Sequence, residues 1–178
     1  VTYDYDGFGR KTKITDNRDA NNNIGGSGDY INKISFSYNA LSRIKTVTDQ
    51  DGYKTHYTYT ADGQKKTIDV YAPTDLVNPV YDVAYDYDEA LRLKSVLQPS
   101  LGTNDLIAKF NYTSNGNRDL LTYSLDGSDG TNEVSVDYSY NADNLLTGYA
   151  TAGTTFSLSN VKVDGLGRLN DAKETLGA

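Results

Sequence analysis

Two pairs of acids stand out first. Asp4 and Asp6 flank Tyr5, and Asp86 and Asp88 flank Tyr87. Two carboxylates held close could divide the work of a general acid and a general base. His56 is the only histidine, so a Ser-His-Asp relay would depend on it, and no pair of histidines exists to bind zinc. "DNRDANNN" (16–23) and "DQDG" (49–52) are rich in oxygen ligands, but neither completes the spacing of a calcium-binding loop. "GFGRKT" and "GLGRLN" lack the third glycine of a dinucleotide loop, and no phosphate-binding loop is present. "NYT" (111–113) is a glycosylation sequon.

Each of these features also has a simpler reading. An acid at i and another at i+2 share one face of a strand, opposite the tyrosines between them. The second acid of each pair also stands where a turn begins. In "YKTHYTY", alternation sets Tyr53, Thr55, Tyr57 and Tyr59 on one side and Lys54, His56 and Thr58 on the other. That reading makes His56 an exposed strand residue. The acid-rich loops read as Asx-type turns, and the sequon lies inside an expected strand. No catalytic residue, cofactor site or metal site is therefore expected, and the chain is read as non-enzymatic.

Composition explains which elements carry these residues. Only three of the 24 acids are Glu, while Tyr (16) and Gly (16) are abundant and Cys, Met and Trp are absent. Tyr and Thr suit strands, and Asp, Asn and Gly suit the turns between them. The expected fold class is all-β: a meander of antiparallel hairpins built from many short strands and stacked as a curved repeat sheet. Without Cys there are no disulfides and no thiolate chemistry. The net charge of −7 argues against nucleic acid, since phosphate binding needs clustered Lys and Arg. The sequence has no apolar run near the roughly 20 residues of a spanning helix. It shows no signal peptide, and with Val1 rather than Met at its start we expect an excised segment of a longer protein.

Comparison of the chain with itself reveals seven stretches that align without gaps. They are 3–14, 36–47, 57–68, 85–96, 110–121, 138–149 and 161–172. Their anchors are Tyr5, Tyr38, Tyr59, Tyr87, Tyr112, Tyr140 and Val163. We number positions from the anchor as zero. Aromatics at −2 and 0 share a strand face. Asp6, Asn39, Asp88, Asn141 and Asp164 stand at +1, with Gly9, Gly63, Gly116 and Gly167 at +4. That spacing is type I turn chemistry, in which the short side chain caps the turn and Gly takes a positive φ. Ser42, Leu91 and Asn144 replace the Gly in three repeats. Position +9 is largely apolar (Ile14, Val47, Ile68, Val96, Leu121, Tyr149, Ala172), and another apolar residue, such as Ile44 or Leu93, often sits at +6. A spacing of three breaks strand alternation, so a recurrent β-bulge or twist is expected there. The whole of 1–178 is read as one array of about seven repeats. The stretches 16–29, 71–79 and 99–105 are expected to be loops or insertions.

The unit Y-x-Y-[DN]-x-x-G-R-L resembles the YD repeat of the Rhs family of large bacterial surface and toxin proteins. "YDYDGFGRK" and "VDGLGRL" match it best, and the likeness covers essentially the whole chain. Gln64, Asn117 and Leu145 depart from the family's Arg. The resemblance implies a β-hairpin strip that spirals into a hollow shell around an effector, commonly a toxin. It also implies a secreted or cell-surface protein. In such shells a self-cleaving aspartate segment often follows, and none is seen after Ala172. Seven repeats are too few to close a shell, so a piece of wall is expected. The expected partners are neighbouring repeats and an enclosed effector. The alternative is an adhesion module whose tyrosine stripes bind carbohydrate or protein. Recurrence of the stripes in nearly every repeat favours packing over a local site.

Overall fold

The computed structural model describes residues 1–16, 32–99, 106–124, 133–152, 156–163 and 169–176, and the side chains only as far as Thr151. Those residues form fourteen strands: β1 (Thr2–Tyr5), β2 (Lys11–Asp16), β3 (Asn32–Tyr38), β4 (Ile44–Thr48), β5 (Lys54–Tyr59), β6 (Lys65–Tyr71), β7 (Tyr81–Tyr87), β8 (Leu93–Leu97), β9 (Leu106–Tyr112), β10 (Arg118–Ser124), β11 (Glu133–Tyr140), β12 (Leu146–Ala152), β13 (Phe156–Val163) and β14 (Leu169–Leu176). There is no α-helix among the described residues. The fold is an antiparallel meander of hairpins, two strands to a repeat.

Residues 1–84 and 85–178 form two compact units. In the first, β1 to β6 and the opening residues of β7 (Tyr81–Ala84) pair in chain order, each strand antiparallel to the next. In the second, β8 to β14 do the same.

Register separates the two faces. At −2 and +9, Tyr3 faces Ile14, Phe36 faces Val47, Tyr57 faces Ile68, Phe110 faces Leu121 and Tyr138 faces Tyr149. Between hairpins, Ile14 meets Ile34, Ile68 meets Val83, Val96 meets Ala108 and Leu121 meets Val136. Within each unit these residues make an apolar face of aromatic and aliphatic cross-strand pairs. The opposite face of each unit is polar. Asp4 faces Lys13 with 3.5 Å between carboxylate and ammonium, the Thr58 and Thr67 hydroxyls are 2.8 Å apart, and those of Thr122 and Ser135 are 3.0 Å apart. Few side chains are deeply buried. Among the described residues only Val83 (6% exposed) and Leu106 (0%) are buried hydrophobics. Most of the stabilisation therefore comes from ladders and cross-strand contacts, with little from an enclosed core.

The bulge expected between +6 and +9 is present. The partner of the anchor is +6 and the partner of −1 is +8, so +7 is the extra residue. It is Thr12, Lys45, Lys66, Asp119, Thr147 and Asn170 in the six hairpins whose register is defined. One added residue returns +9 to the face already held by +6. That is why apolar residues three apart lie on the same side.

Candidate functional site

The paired acids belong to the joints of the repeats. Asp6 closes its own turn. One carboxylate oxygen accepts from the amides of Phe8 (2.9 Å) and Arg10 (3.0 Å), and the other accepts from Arg10 Nε (2.7 Å). Asp88 repeats this with Ala90 (3.0 Å), Arg92 (2.8 Å) and Arg92 Nε (2.7 Å). Asp4 and Asp86 look elsewhere, to Lys13 and Lys94, each at 3.5 Å. The two acids of a pair thus serve different partners. The charge state agrees. Partial burial pushes the Asp6 carboxyl up, but it is outweighed by the amide and guanidinium of Arg10 and the amide of Phe8, so Asp6 stays below the usual carboxylate range. Asp88 is likewise held low, first by the Arg92 amide. A carboxyl held ionised by fixed donors is a poor proton donor near neutral pH.

The turn has one geometry in the six repeats whose turns are described. The +4 amide donates to the +1 carbonyl and the +1 amide donates to the +5 carbonyl: Gly9 to Asp6 at 3.0 Å and Asp6 to Arg10 at 2.9 Å, with the same pair of bonds opening at Asn39, Thr60, Asp88, Thr113 and Asn141. This is a type I turn closed by a left-handed residue. Gly9, Gly63 and Gly116 take φ of 75°, 97° and 87°. Ser42, Leu91 and Asn144 hold the same conformation at 59°, 61° and 61°. The fold therefore imposes the turn even where the residue resists it. Asp164 and Gly167 lie outside the described residues, as does most of "DNRDANNN". "DQDG" forms the same turn between β4 and β5, with Asp49 capping the amides of Asp51 (3.0 Å) and Tyr53 (2.9 Å).

The anchors meet at the junction between repeats. Pairing of +9 with position −4 of the next repeat, as in Ile14 with Ile34, carries the next anchor past the bulge to the level of +5 and +6. There its hydroxyl donates to the +6 carbonyl. Tyr38 donates to Lys11 (2.6 Å), Tyr59 to Ile44 (2.7 Å), Tyr112 to Leu93 (2.8 Å) and Tyr140 to Arg118 (2.8 Å). The +5 arginine lies over the same ring. Arg10 is 4.6 Å from the centre of Tyr38, Arg43 is 4.6 Å from that of Tyr59 and Arg92 is 4.4 Å from that of Tyr112. The guanidinium also reaches the next turn. Arg10 Nη1 donates to Ser42 Oγ (3.0 Å), and a Cβ on Gly63 would stand 2.8 Å from Arg43 Nη1. Where +5 is Asn117, its amide donates instead to Asn144 Oδ1 at 3.1 Å. We call this assembly the clasp. Burial pushes the Tyr140 hydroxyl up, with Tyr138 adding to the shift, so it stays protonated and able to donate.

The remaining candidates fall away from it. His56, expected to be exposed, is half-buried, because Tyr71 tilts against its ring at 5.0 Å between centres. Its cross-strand neighbours are Thr46 and Asp69. Asn111 of the sequon is exposed on β9. No group of three or more His, Cys, Asp or Glu positioned to hold a metal ion occurs among the described residues. No helix among them is long and apolar enough to cross a membrane. Alignment of the repeats alone did not reveal the clasp, though one signal was available. Arg at +5 precedes Tyr38, Tyr59 and Tyr112, and the one anchor that is not Tyr, Val163, follows the one repeat with an apolar +5, Leu145.

Among known proteins no family model and no curated sequence matches the chain. Solved structures do. Over 97% of this chain, a chain of the crystal structure of TcdB2-TccC3-Cdc42 superposes with a TM-score of 0.68 at 17% identity. The fold is that of a YD-repeat strip. Chains of TcdB2-TccC3, and of TcdB2-TccC3 without its hypervariable C-terminal region, match over 96% at 16% and 13% identity, with TM-scores of 0.42 and 0.37. This YD-repeat strip spans 9% of the length of the first of those chains.

Proposed function

We propose that the chain is a structural, non-enzymatic segment of a YD-repeat shell that encloses a secreted effector. The clasp is the observation that carries the proposal. Four junctions use the same hydroxyl-to-carbonyl bond within a span of 2.6 to 2.8 Å. A structural requirement recurs at every joint of an array, whereas a binding site is local. The fold shared with the toxin-complex chain supports the reading. The chain's role is passive: ladders, clasps and the apolar face of each unit make wall material. Its partners are the neighbouring repeats of the parent protein and the enclosed effector.

Protease challenge of the full-length parent protein tests this. The region enclosed by the wall should resist digestion, and Tyr38→Ala combined with Tyr59→Ala should expose it. Equal digestion of both proteins would count against enclosure. Specific glycan capture by the intact strip, lost on Tyr3→Ala or Tyr81→Ala, would favour the adhesion reading instead.

A further inference from the structure

The clasp between 36–47 and 57–68 differs from the others in charge. In the first and fourth repeats the +5 arginine is neutralised by the +1 aspartate, as Arg10 by Asp6 and Arg92 by Asp88, each at 2.7 Å. In the second repeat the +1 residue is Asn39. Its Oδ1 accepts from the amides of Leu41 and Arg43, at 3.0 Å each, so the turn is preserved. The second carboxylate oxygen is gone, however, and Arg43 Nε is shut from solvent with no acceptor. Arg43 has no ion pair among the described residues. The charge of Arg43 is therefore left without the carboxylate that Arg10 and Arg92 each receive, and it is the outer part of the guanidinium that a ligand would meet.

A cleft of about 300 Å³ opens beside this arginine. Ile44, Tyr57 and Tyr59 form its apolar walls, and Arg43 and Lys65 bracket it. The Lys65 ammonium lies 5.1 Å from the centre of the Tyr57 ring. No acid lines the cleft, although the chain carries a net charge of −7. Two cations beside an apolar wall suit one class of ligand, a carboxylate carried next to an aromatic or aliphatic group. The geometry points to a binding site here for such an amphipathic acid. The carboxylate meets the guanidinium of Arg43, and the apolar group lies against Ile44 and Tyr57. The site follows from one replacement, Asn for Asp at position 39, in an otherwise repeated joint.

The test uses N-acetyl-phenylalanine and an acetylated pentapeptide ending in Leu-Phe with a free carboxylate. Each is titrated into the intact chain with nuclear magnetic resonance detection. Saturable shifts at Arg43, Tyr57 and Tyr59 are expected, together with at least tenfold weaker binding of the matching amides, as one charge-assisted hydrogen bond is lost. Asn39→Asp supplies an internal carboxylate to Arg43. It should raise the melting temperature while weakening the acids about tenfold, so lost binding cannot be mistaken for lost folding. Tighter binding of the peptide assigns the site to a polypeptide terminus, and tighter or equal binding of the single amino acid assigns it to small acids. The proposal is overturned if neither probe saturates, if the amides bind as well as the acids, or if Asn39→Asp leaves affinity unchanged.

Discussion

The clasp makes a sharp quantitative prediction at Tyr38. Its hydroxyl donates to the Lys11 carbonyl at 2.6 Å, and its ring lies under Arg10 at 4.6 Å. Tyr38→Phe removes the hydrogen bond and keeps the ring. It should cost about 1 kcal/mol, the usual net value of one such bond. Tyr38→Ala also removes the cation–π contact, worth about 0.5–1 kcal/mol at a part-exposed site, and the packing of a half-buried ring. It should cost about 3 kcal/mol in total. Urea denaturation followed by far-ultraviolet circular dichroism reads both, with the slope held constant between variants. In thermal melts the Phe variant should lose roughly 2–4 °C. Tyr81 is the control, because it lies on the same face and its hydroxyl has no partner among the described residues. Tyr81→Phe should change stability by less than about 0.3 kcal/mol. If Tyr38→Phe were as silent as Tyr81→Phe, the hydroxyl would contribute nothing to the joint and the clasp would be mere proximity.

Other outcomes follow from the same geometry. Leu91 sits at φ 61° in a turn that elsewhere uses Gly, so Leu91→Gly should stabilise by about 0.5–1 kcal/mol in a denaturant series. Gly63 has φ 97°, and a Cβ there would stand 2.8 Å from Arg43 Nη1. Gly63→Ala should therefore destabilise by about 1–2 kcal/mol, mostly from the positive φ, and should also push the Arg43 guanidinium aside, whereas the methyl of Gly9→Ala meets nothing. Asp6 and Asp88 have folded carboxyls below their unfolded range, so the stability they add is present above about pH 4 and is lost as pH falls through the lower folded value. Melting temperature should therefore drop below about pH 4, and an Asp6→Asn, Asp88→Asn variant should show a shallower drop.

Much of this was legible before any coordinates. The aromatic pair, the Asx start and the +4 Gly dictate a strand and a type I turn locally, and seven copies leave little freedom in the assignment. Even the bulge could be read, since apolar residues at +6 and +9 cannot share a face without an extra residue. What could not be read depends on register between hairpins. Nothing in "YDYDGFGRK" says that Arg10 will lie over a tyrosine 28 residues later. That contact exists because Ile14 pairs with Ile34, and the residues separating them contribute nothing to the alignment of repeats. The same gap hid the fate of His56, whose cover, Tyr71, comes from the adjacent strand. Arg43 became noticeable only once Asp6 and Asp88 had shown what its counterparts are given.

Electron cryomicroscopy of the full-length parent protein tests the wall assignment most directly. The account predicts that residues 1–178 appear as consecutive hairpins within a closed shell, continuous with further repeats on both sides, with effector density inside. A strip projecting outward as a separate arm, with no enclosed density, would contradict it.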